Sequence, residues 1–304
     1  MKYAFKNQSI LIHTEHTRFE KMNVEQFLEY FHLSRKNRYL YIQNRLIFLD
    51  EEPVRNSLEE INGKTIRIVF PKEETDWKPS QRECEIIYED PFVYVVHKDP
   101  GMIIHADRKE DTDCLNAMVA ACQLNHDIHA PVRPIHRLDQ DTTGLVLYSR
   151  IPFFQAWFDD QLKEKKIARY YLAIVYGNLK QGETFSSDRR IGRDRHHAGK
   201  YRVSSDGKDA FTDFECLENK GPYSLIRCRL RTGRTHQIRV HLRDLGYPIV
   251  NDPLYGVGSH DFHHMGLWAD QLAFHNPVTG KKHTIHDQFN PDYAYFETER
   301  ERKK

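Results

Sequence analysis

The chain has 304 residues, of which 39% are hydrophobic and 29% charged, and its 45 lysines and arginines nearly balance its 44 aspartates and glutamates. This composition excludes an intrinsically disordered chain and indicates one large globular domain or two unequal ones. The five cysteines form no C-x-x-C pair, and no stretch approaches the roughly 18–20 apolar residues of a membrane helix. We therefore expect reduced thiols, no zinc ribbon, no membrane segment and a cytoplasmic location.

Two patterns predict a small N-terminal unit. Apolar residues recur at helical spacing over residues 24–33, and an Asn62-Gly63 turn leads into the alternating strand at residues 65–70. The polar segment that follows, which contains Pro79, is typical of a linker. We divide the chain accordingly into a small α/β domain (1–75), a linker (76–83), a larger domain (84–298) and a charged tail (299–304).

Strands dominate the larger region. Short apolar or alternating runs predict strands at residues 85–90, 92–98, 144–149, 170–177, 211–217 and 223–230. Helical patterns occur at residues 115–124 and from Pro152 onward. Because these helices do not alternate strictly with the strands, we expect an α+β fold with a mixed, mainly antiparallel central sheet.

Motifs for bound cofactors are incomplete in this chain. Gly63-Lys64-Thr65 lacks the first glycine of a phosphate-binding loop, and Gly256-Val257-Gly258 lacks the third glycine of a dinucleotide fingerprint. The histidine-rich segment 260–264 contains no H-E-x-x-H motif, and we interpret it as a polar loop. We therefore expect neither a cofactor nor a metal.

A polar turn before the strand at 144–149 carries Arg137, Asp139 and Asp141. Residues two apart in an extended segment share a face, so Arg137 and Asp139 can point into one pocket, where an aspartate can act as a nucleophile. The same pattern also fits an Asx turn, in which such side chains cap backbone amides. The residues alone leave both interpretations open.

Positive charge is concentrated in the segment 227–243, which contains six arginines and no acidic residue. Its second half has helical spacing, and we expect Thr235 to cap this helix and Gly246 to end it. Arg239 lies beside the apolar stripe, so it needs a partner, and Asp139 is a candidate.

A second basic run, residues 189–202, has six lysines and arginines, one aspartate and no apolar period. It predicts a mobile loop that lies along a phosphate backbone, with a simply solvated surface as the alternative.

Longer motifs resemble a known family. HRLDQDTTGL resembles the H-R-L-D-x-x-T-S-G-L signature of the RluA-type RNA pseudouridine synthases, and TGRTHQIRVHL with GYPIVNDPLYG resembles their third motif. The likeness extends over about residues 86–285, and the N-terminal unit resembles an S-four-like RNA-binding domain.

The resemblance implies roles for individual residues. By position, Asp139 corresponds to the catalytic aspartate, Arg239 to the arginine that pairs with it, Tyr171 to the tyrosine that stacks on the target uracil, and Arg137 to the residue that helps displace the base. Further RNA-contacting residues are expected at His136, Arg234, His236, Gln237, Arg193 and Arg195.

The implied reaction is the isomerisation of uridine to pseudouridine in structured RNA, either ribosomal or transfer RNA. The glycosidic C–N bond breaks, the uracil turns, and a ring carbon bonds to the sugar, so nothing is added or lost. We expect a monomer, because no heptad seam is present. Two alternatives remain: a non-catalytic RNA-binding or ribosome-assembly protein, and a glycosidase that pairs Asp139 with Asp141 or Asp252.

Overall fold

A computed structural model describes residues 2–6, 8–288 and 290–296, so the predicted charged tail and the last two residues of the larger domain lie outside the described residues. The described chain contains two main sheets, one in each predicted domain. None of its helices has the length and apolar character needed to cross a bilayer.

The N-terminal sheet has five antiparallel strands in the order β1-β2-β5-β3-β4. Its elements are β1 (Tyr3–Lys6), β2 (Ser9–His13), α1 (Val24–Tyr30), α2 (Arg35–Gln43), β3 (Ile47–Leu49), β4 (Glu52–Pro53) and β5 (Thr65–Val69). A reciprocal Asn23–Gln26 capping box begins α1. The helix predicted over 24–33 ends earlier, at Tyr30, because His32 has a left-handed backbone with φ of 58°. Asn62 and Gly63 both have positive φ, as expected for the predicted turn.

The larger domain is built on a ten-stranded sheet. The strands and helices of this domain are β6 (Glu85–Glu89), β7 (Val93–Lys98), α3 (Leu115–Asn125), β8 (Arg133–Pro134), β9 (Thr143–Ser149), α4 (Pro152–Lys163), β10 (Ala168–Tyr176), β11 (Thr184–Ser187), β12 (Ile191–Arg193), β13 (Tyr201–Val203), β14 (Thr212–Lys220), β15 (Tyr223–Leu230), α5 (Gln237–Asp244), β16 (Leu267–His275), β17 (Lys282–His286) and a 3₁₀ helix (Pro291–Tyr295). The main path runs β11-β14-β15-β10-β16-β9-β7-β6, with β17 on β16 and β8 on β9. Pairing is antiparallel except between β9 and β16, which confirms the predicted mixed, mainly antiparallel sheet.

Gly144 allows the two parallel strands to meet. Its φ is 115°, and a Cβ atom there would lie 2.4 Å from the carbonyl oxygen of Ala269 in β16. Only glycine accepts both the backbone conformation and this approach. The turn at residues 135–142 is thereby fixed at the edge where β9 enters the sheet.

Aromatic packing joins the two predicted domains. Phe31 and Phe70 of the N-terminal domain contact Phe153 and Phe154 of α4 at ring-centroid distances of 5.3 to 6.0 Å. The predicted linker has no helix or strand, yet Trp77 is buried in the core of the larger domain. The linker is therefore packed on the larger domain and does not separate the two domains as a free spacer.

The structure corrects the expectation of a mobile loop at residues 189–202. Ile191–Arg193 and Tyr201–Val203 pair as the antiparallel strands β12 and β13. Lys208 bonds Ile191 through main-chain atoms on the other side. We call residues 189–208 the basic hairpin. The sequence did not show it because the hairpin's apolar contacts come from outside the segment, at Val240, Leu254 and Tyr255.

Candidate active site

The turn at 135–142, the start of β10 and the segment from Leu230 to Arg239 surround an open cavity of about 1080 Å³. The structure brings together here eight of the ten residues singled out from the sequence: His136, Arg137, Asp139, Tyr171, Arg234, His236, Gln237 and Arg239. The other two, Arg193 and Arg195, lie outside the cavity wall and are exposed on the basic hairpin.

Arg239 is the centre of a buried ion network. Its Nε and Nη2 atoms each donate to Asp252 at 2.8 Å, and its Nη1 donates to Asp139 Oδ2 at 3.1 Å. Only 3% of the Arg239 side chain is exposed, compared with 0% for Asp252 and 25% for Asp139. Arg239 therefore has one fully buried partner and one partner that faces the cavity.

The contacts between Arg239 and the two carboxylates shift the pKa values of Arg239 and Asp252. Burial alone would raise the pKa of Asp252, but hydrogen bonds and charge from Arg239, with the amides of Leu254 and Tyr255, lower that pKa below its usual value. Burial would lower the pKa of Arg239, yet the two carboxylates raise it. Both groups are charged at neutral pH, so the guanidinium presents a fixed positive group to Asp139.

The side chain of Asp139 is directed to Arg239, as the sequence predicted. The turn itself is closed by the main chain, where Thr142 N donates to the Asp139 carbonyl at 3.2 Å. The carboxylate is therefore available to the cavity, which disfavours the alternative that Asp139 only caps backbone amides.

Lys98 supports the same turn and was not anticipated from the sequence. Its ammonium is fully buried and donates to the carbonyl oxygens of Asp99, Met102 and Gln140 at 2.7 to 2.9 Å. Burial lowers its pKa to about 8, although the charges of Asp141, Asp139 and Asp99 oppose the change. A lysine at the end of the apolar strand β7 was the signal that could have identified it.

Tyr171 lies in the cavity wall with 4% of its surface exposed, and burial raises its pKa, so its ring is a neutral, fixed surface beside Asp139. Arg137 is exposed at the cavity mouth, with Nη1 3.4 Å from His105 Nε2. Arg234 is also exposed, and its Nε donates to the carbonyl of Asp209.

His136 and Gln237 direct their polar atoms into the protein. His136 Nε2 accepts from the amide of Leu147 at 3.3 Å, and burial, with a smaller contribution from Arg169, lowers its pKa to about 3. The Gln237 amide contacts Thr232, Phe211 and Thr212. In this geometry both side chains hold the cavity wall in place.

The helix that carries Arg239 starts differently from the prediction. Its first residue is Gln237, and the preceding residue is His236, with a left-handed φ of 56° and no side-chain cap, so Thr235 does not cap α5. The amide of Arg234 bonds the Gln237 side chain instead, which secures the turn before the helix. His236 consequently points toward Asp139, with Nε2 4.0 Å from Oδ2.

The histidine-rich segment contacts an aspartate of the 3₁₀ helix. His263 and His264 lie 3.0 and 3.4 Å from Asp292. In the described part of the chain, no group of three or more His, Cys, Asp or Glu side chains is arranged to hold a metal ion.

Comparison with known proteins gives concordant results. Residues 92–244 match the family model described as RNA pseudouridylate synthase. The chain is 33% identical to the uncharacterized RNA pseudouridine synthase YlyB of Bacillus subtilis over 79% of this chain and 81% of that protein. It is also 33% identical to ribosomal large subunit pseudouridine synthase D of Xanthomonas campestris, over 87% of this chain and 83% of that protein.

Solved structures agree with these sequence matches. The human protein RNA pseudouridylate synthase domain containing 1 aligns with a TM-score of 0.55 and 25% identity, over 70% of this chain and 84% of that one. Domain containing 4, also human, has a TM-score of 0.57 at 20% identity, over 69% and 90% of the two chains, which shows a shared fold. The chain belongs to the RNA pseudouridine synthase family and is an isomerase.

Proposed function

We propose that this enzyme isomerises uridine in ribosomal RNA of the large subunit, with Asp139 as its catalytic residue. The observation that carries the proposal is the position of the Asp139 carboxylate, which faces an open cavity and accepts a hydrogen bond from the buried Arg239. An isomerase that cuts and remakes a bond to the sugar needs a negatively charged oxygen at the sugar, and Asp139 supplies one at the cavity wall.

The neighbouring residues have distinct proposed roles. Tyr171 offers its ring face to the uracil, which must be held while it is detached and turned. Arg137, exposed at the cavity mouth, takes the place of the displaced base in the RNA stack or contacts its phosphates. Arg234 and His236 line the same cavity and contact the nucleoside, whereas Gln237 and His136 hold the cavity wall in place.

RNA outside the cavity is proposed to bind at two basic surfaces. Arg193 and Arg195 on the basic hairpin are exposed and face solvent beside the cavity's α5 wall. In the N-terminal domain, helix α2 exposes Arg35, Lys36 and Tyr39, the last with 62% of its surface accessible. Cationic and aromatic side chains on one exposed helix suit single-stranded or looped RNA.

The choice of ribosomal RNA is supported by the relatives. Several that are 32–34% identical to this chain are named ribosomal large subunit pseudouridine synthase D. Transfer RNA is the alternative target. A glycosidase is disfavoured because Asp252 already accepts two hydrogen bonds from Arg239 and two from backbone amides.

The experiment uses total RNA from cells that lack this protein, because that RNA contains the unmodified target whichever class it is. After incubation with the purified protein, pseudouridines are labelled with carbodiimide and located by primer extension. We expect new stops in large-subunit ribosomal RNA with the wild type and none with Asp139→Asn, which should fold normally. Asp141→Asn, a change two residues along the same wall, should leave the isomerisation measurable.

Other outcomes contradict specific parts of the proposal. Stops in transfer RNA alone would replace the target and keep the enzyme. Stops with pure Asp139→Asn would refute the role of Asp139. RNA binding without any stops from the wild type would favour a non-catalytic RNA-binding protein.

A further inference from the structure

Two hydrogen-bond contacts and one longer approach of 4.0 Å connect the basic hairpin to Asp139. The amide of Tyr201 in β13 donates to the Tyr255 hydroxyl at 2.7 Å, and that hydroxyl lies 2.8 Å from His236 Nδ1. On the far side of the same imidazole, Nε2 lies 4.0 Å from Asp139 Oδ2. The hairpin, a tyrosine, a histidine and the carboxylate therefore form one continuous path.

Both rings in this path are held firmly. Tyr255 is 9% exposed, its amide donates to Asp252 at 3.1 Å, and the Arg239 guanidinium lies 5.2 Å from its ring centroid. The His236 side chain is 14% exposed and packs edge-on against the rings of Tyr201 and Tyr255. The strained left-handed backbone at His236 directs this ring toward Asp139.

Counting donors and acceptors assigns the hydrogen on the imidazole. The Tyr255 hydroxyl has one hydrogen to donate, and it already accepts from the Tyr201 amide. Among the described residues, the hydroxyl has one other hydrogen-bond contact, to His236 Nδ1. Nδ1 is therefore the acceptor for the hydroxyl hydrogen. Burial lowers the pKa of His236, which favours the neutral ring. A neutral ring that accepts at Nδ1 carries its hydrogen on Nε2, the atom that faces Asp139.

We propose that Tyr255 is a positioning residue that fixes His236 in its Nε2–H form, so that this N–H donates to the Asp139 carboxylate in the RNA complex. The separation of 4.0 Å needs to shorten by about 1 Å for a hydrogen bond. The hairpin contributes to this arrangement because the Tyr201 amide donates to the Tyr255 hydroxyl oxygen. The hydroxyl hydrogen is then directed to His236 Nδ1. The orientation of His236 therefore depends on the position of Tyr201 in the hairpin. The inference rests on the proposed role of Asp139.

The first test reads the tautomer and needs no RNA. In ¹⁵N-labelled full-length protein, the imidazole nitrogens of His236 should report a hydrogen on Nε2, and Tyr255→Phe should convert this signal to a mixture of the two forms. Tyr247→Phe, which removes a hydroxyl from the other tyrosine in the segment after α5, should leave the signal unchanged. A hydrogen on Nδ1 in the wild type, or no change in Tyr255→Phe, would overturn the proposal.

The second test uses rescue. Phenylalanine keeps the ring against Arg239, so Tyr255→Phe should slow single-turnover isomerisation of the total RNA substrate by roughly tenfold, as expected for a lost hydrogen bond to a charged group. His236→Gln places an amide N–H near the Nε2 position, and an amide has no tautomers that Tyr255 could select. The rate of this variant is its own reference, and Tyr255→Phe should cause no further loss in that background.

An equal loss from Tyr255→Phe in both backgrounds would show that the hydroxyl acts elsewhere and would overturn the inference. A wild-type protein that forms no pseudouridine would instead contradict the proposed function, and the tautomer measurement would still decide the proposal for Tyr255.

Discussion

Arginines occupy two regions of this protein in opposite environments. At the cavity floor, Arg239 is buried, donates three hydrogen bonds to two carboxylates and contacts the Tyr255 ring. On the basic hairpin, Arg193 and Arg195 are exposed to solvent. A buried cation has lost its hydration, so it must stay next to the anions that compensate its charge. An exposed cation keeps its hydration and its side-chain mobility until an anion binds.

The two regions should therefore fail in different ways. Changes at the floor should alter stability and the rate of the chemical step, because geometry is set there. Removal of arginines from the hairpin should alter RNA affinity and its dependence on salt, because these exposed side chains supply charge to the RNA.

The largest effect is expected for Arg239→Lys. Three different nitrogens of the guanidinium reach Asp252 and Asp139, and the single nitrogen of a lysine does not span these positions, so a carboxylate loses hydrogen bonds. We expect the free energy of unfolding to fall by about 3 kcal/mol and the isomerisation rate to fall at least about a hundredfold. Urea unfolding and single-turnover assays measure the two effects. The exposed Arg229→Lys is the matched control, and equal behaviour of the two variants would contradict the distinction between buried and exposed arginines.

Lys98→Met should have the next largest effect. The variant leaves the carbonyl oxygens of Asp99, Met102 and Gln140 without their buried donor. We expect a loss of about 2 kcal/mol in unfolding free energy and slower isomerisation, since Gln140 adjoins Asp139. Lys281→Met, an exposed change of the same kind, should leave both quantities near the wild-type values. A stable, fully active Lys98→Met protein would show that the turn holds its shape without the ammonium.

At the cavity floor, the sequence predicted one partner of Arg239 and missed the other. The apolar helical stripe beside Arg239 made Asp139 a candidate partner, and the family resemblance implied the pair. The structure contains it although the residues are 100 positions apart. Asp252 was considered only as a glycosidase carboxylate, because its role depends on the segment after α5 folding back under the helix. No local period encodes that return.

The same limit explains the other differences. Strands with clear alternation, such as β5 and β15, were predicted close to their observed bounds. The hairpin strands β12 and β13 have three residues each, too few for a period to be seen. The N-cap of α5 was misplaced by one residue, because the Gln237 side chain, and not Thr235, bonds the turn before the helix. Sequence pattern thus predicts elements with their own periodicity and misses those stabilised by distant partners.

Charge removal on the hairpin should have a smaller and different effect. The double variant Arg193→Gln, Arg195→Gln should weaken binding to unmodified large-subunit ribosomal RNA by roughly tenfold at moderate salt. The slope of log Kd against log salt concentration should fall by about 1 to 2, and the rate at saturating RNA should stay unchanged. Filter binding over a salt series gives both values. Lys180→Gln, an exposed change on the β10–β11 connection, serves as control. An unchanged salt slope in the double variant would remove the hairpin from the RNA-binding surface.

The smallest effect at neutral pH concerns His136, a buried and uncharged group of the cavity wall. Burial lowers its pKa to about 3, whereas the unfolded chain takes up a proton at this position near the ordinary value of 6.5. Between these values the unfolded state binds more protons than the folded state, so the free energy of unfolding falls as pH falls from about 6.5 to about 3, and the full contribution is present above 6.5. His136→Gln should make this decline shallower by up to about 1.4 kcal/mol per pH unit. His16→Gln, at a side chain that is 89% exposed, should leave the slope unchanged, as urea unfolding at a series of pH values can show. If His136→Gln keeps the wild-type slope, His136 is protonated in the folded protein at those pH values, and this part of the cavity wall is then less completely shielded from water than its burial indicates.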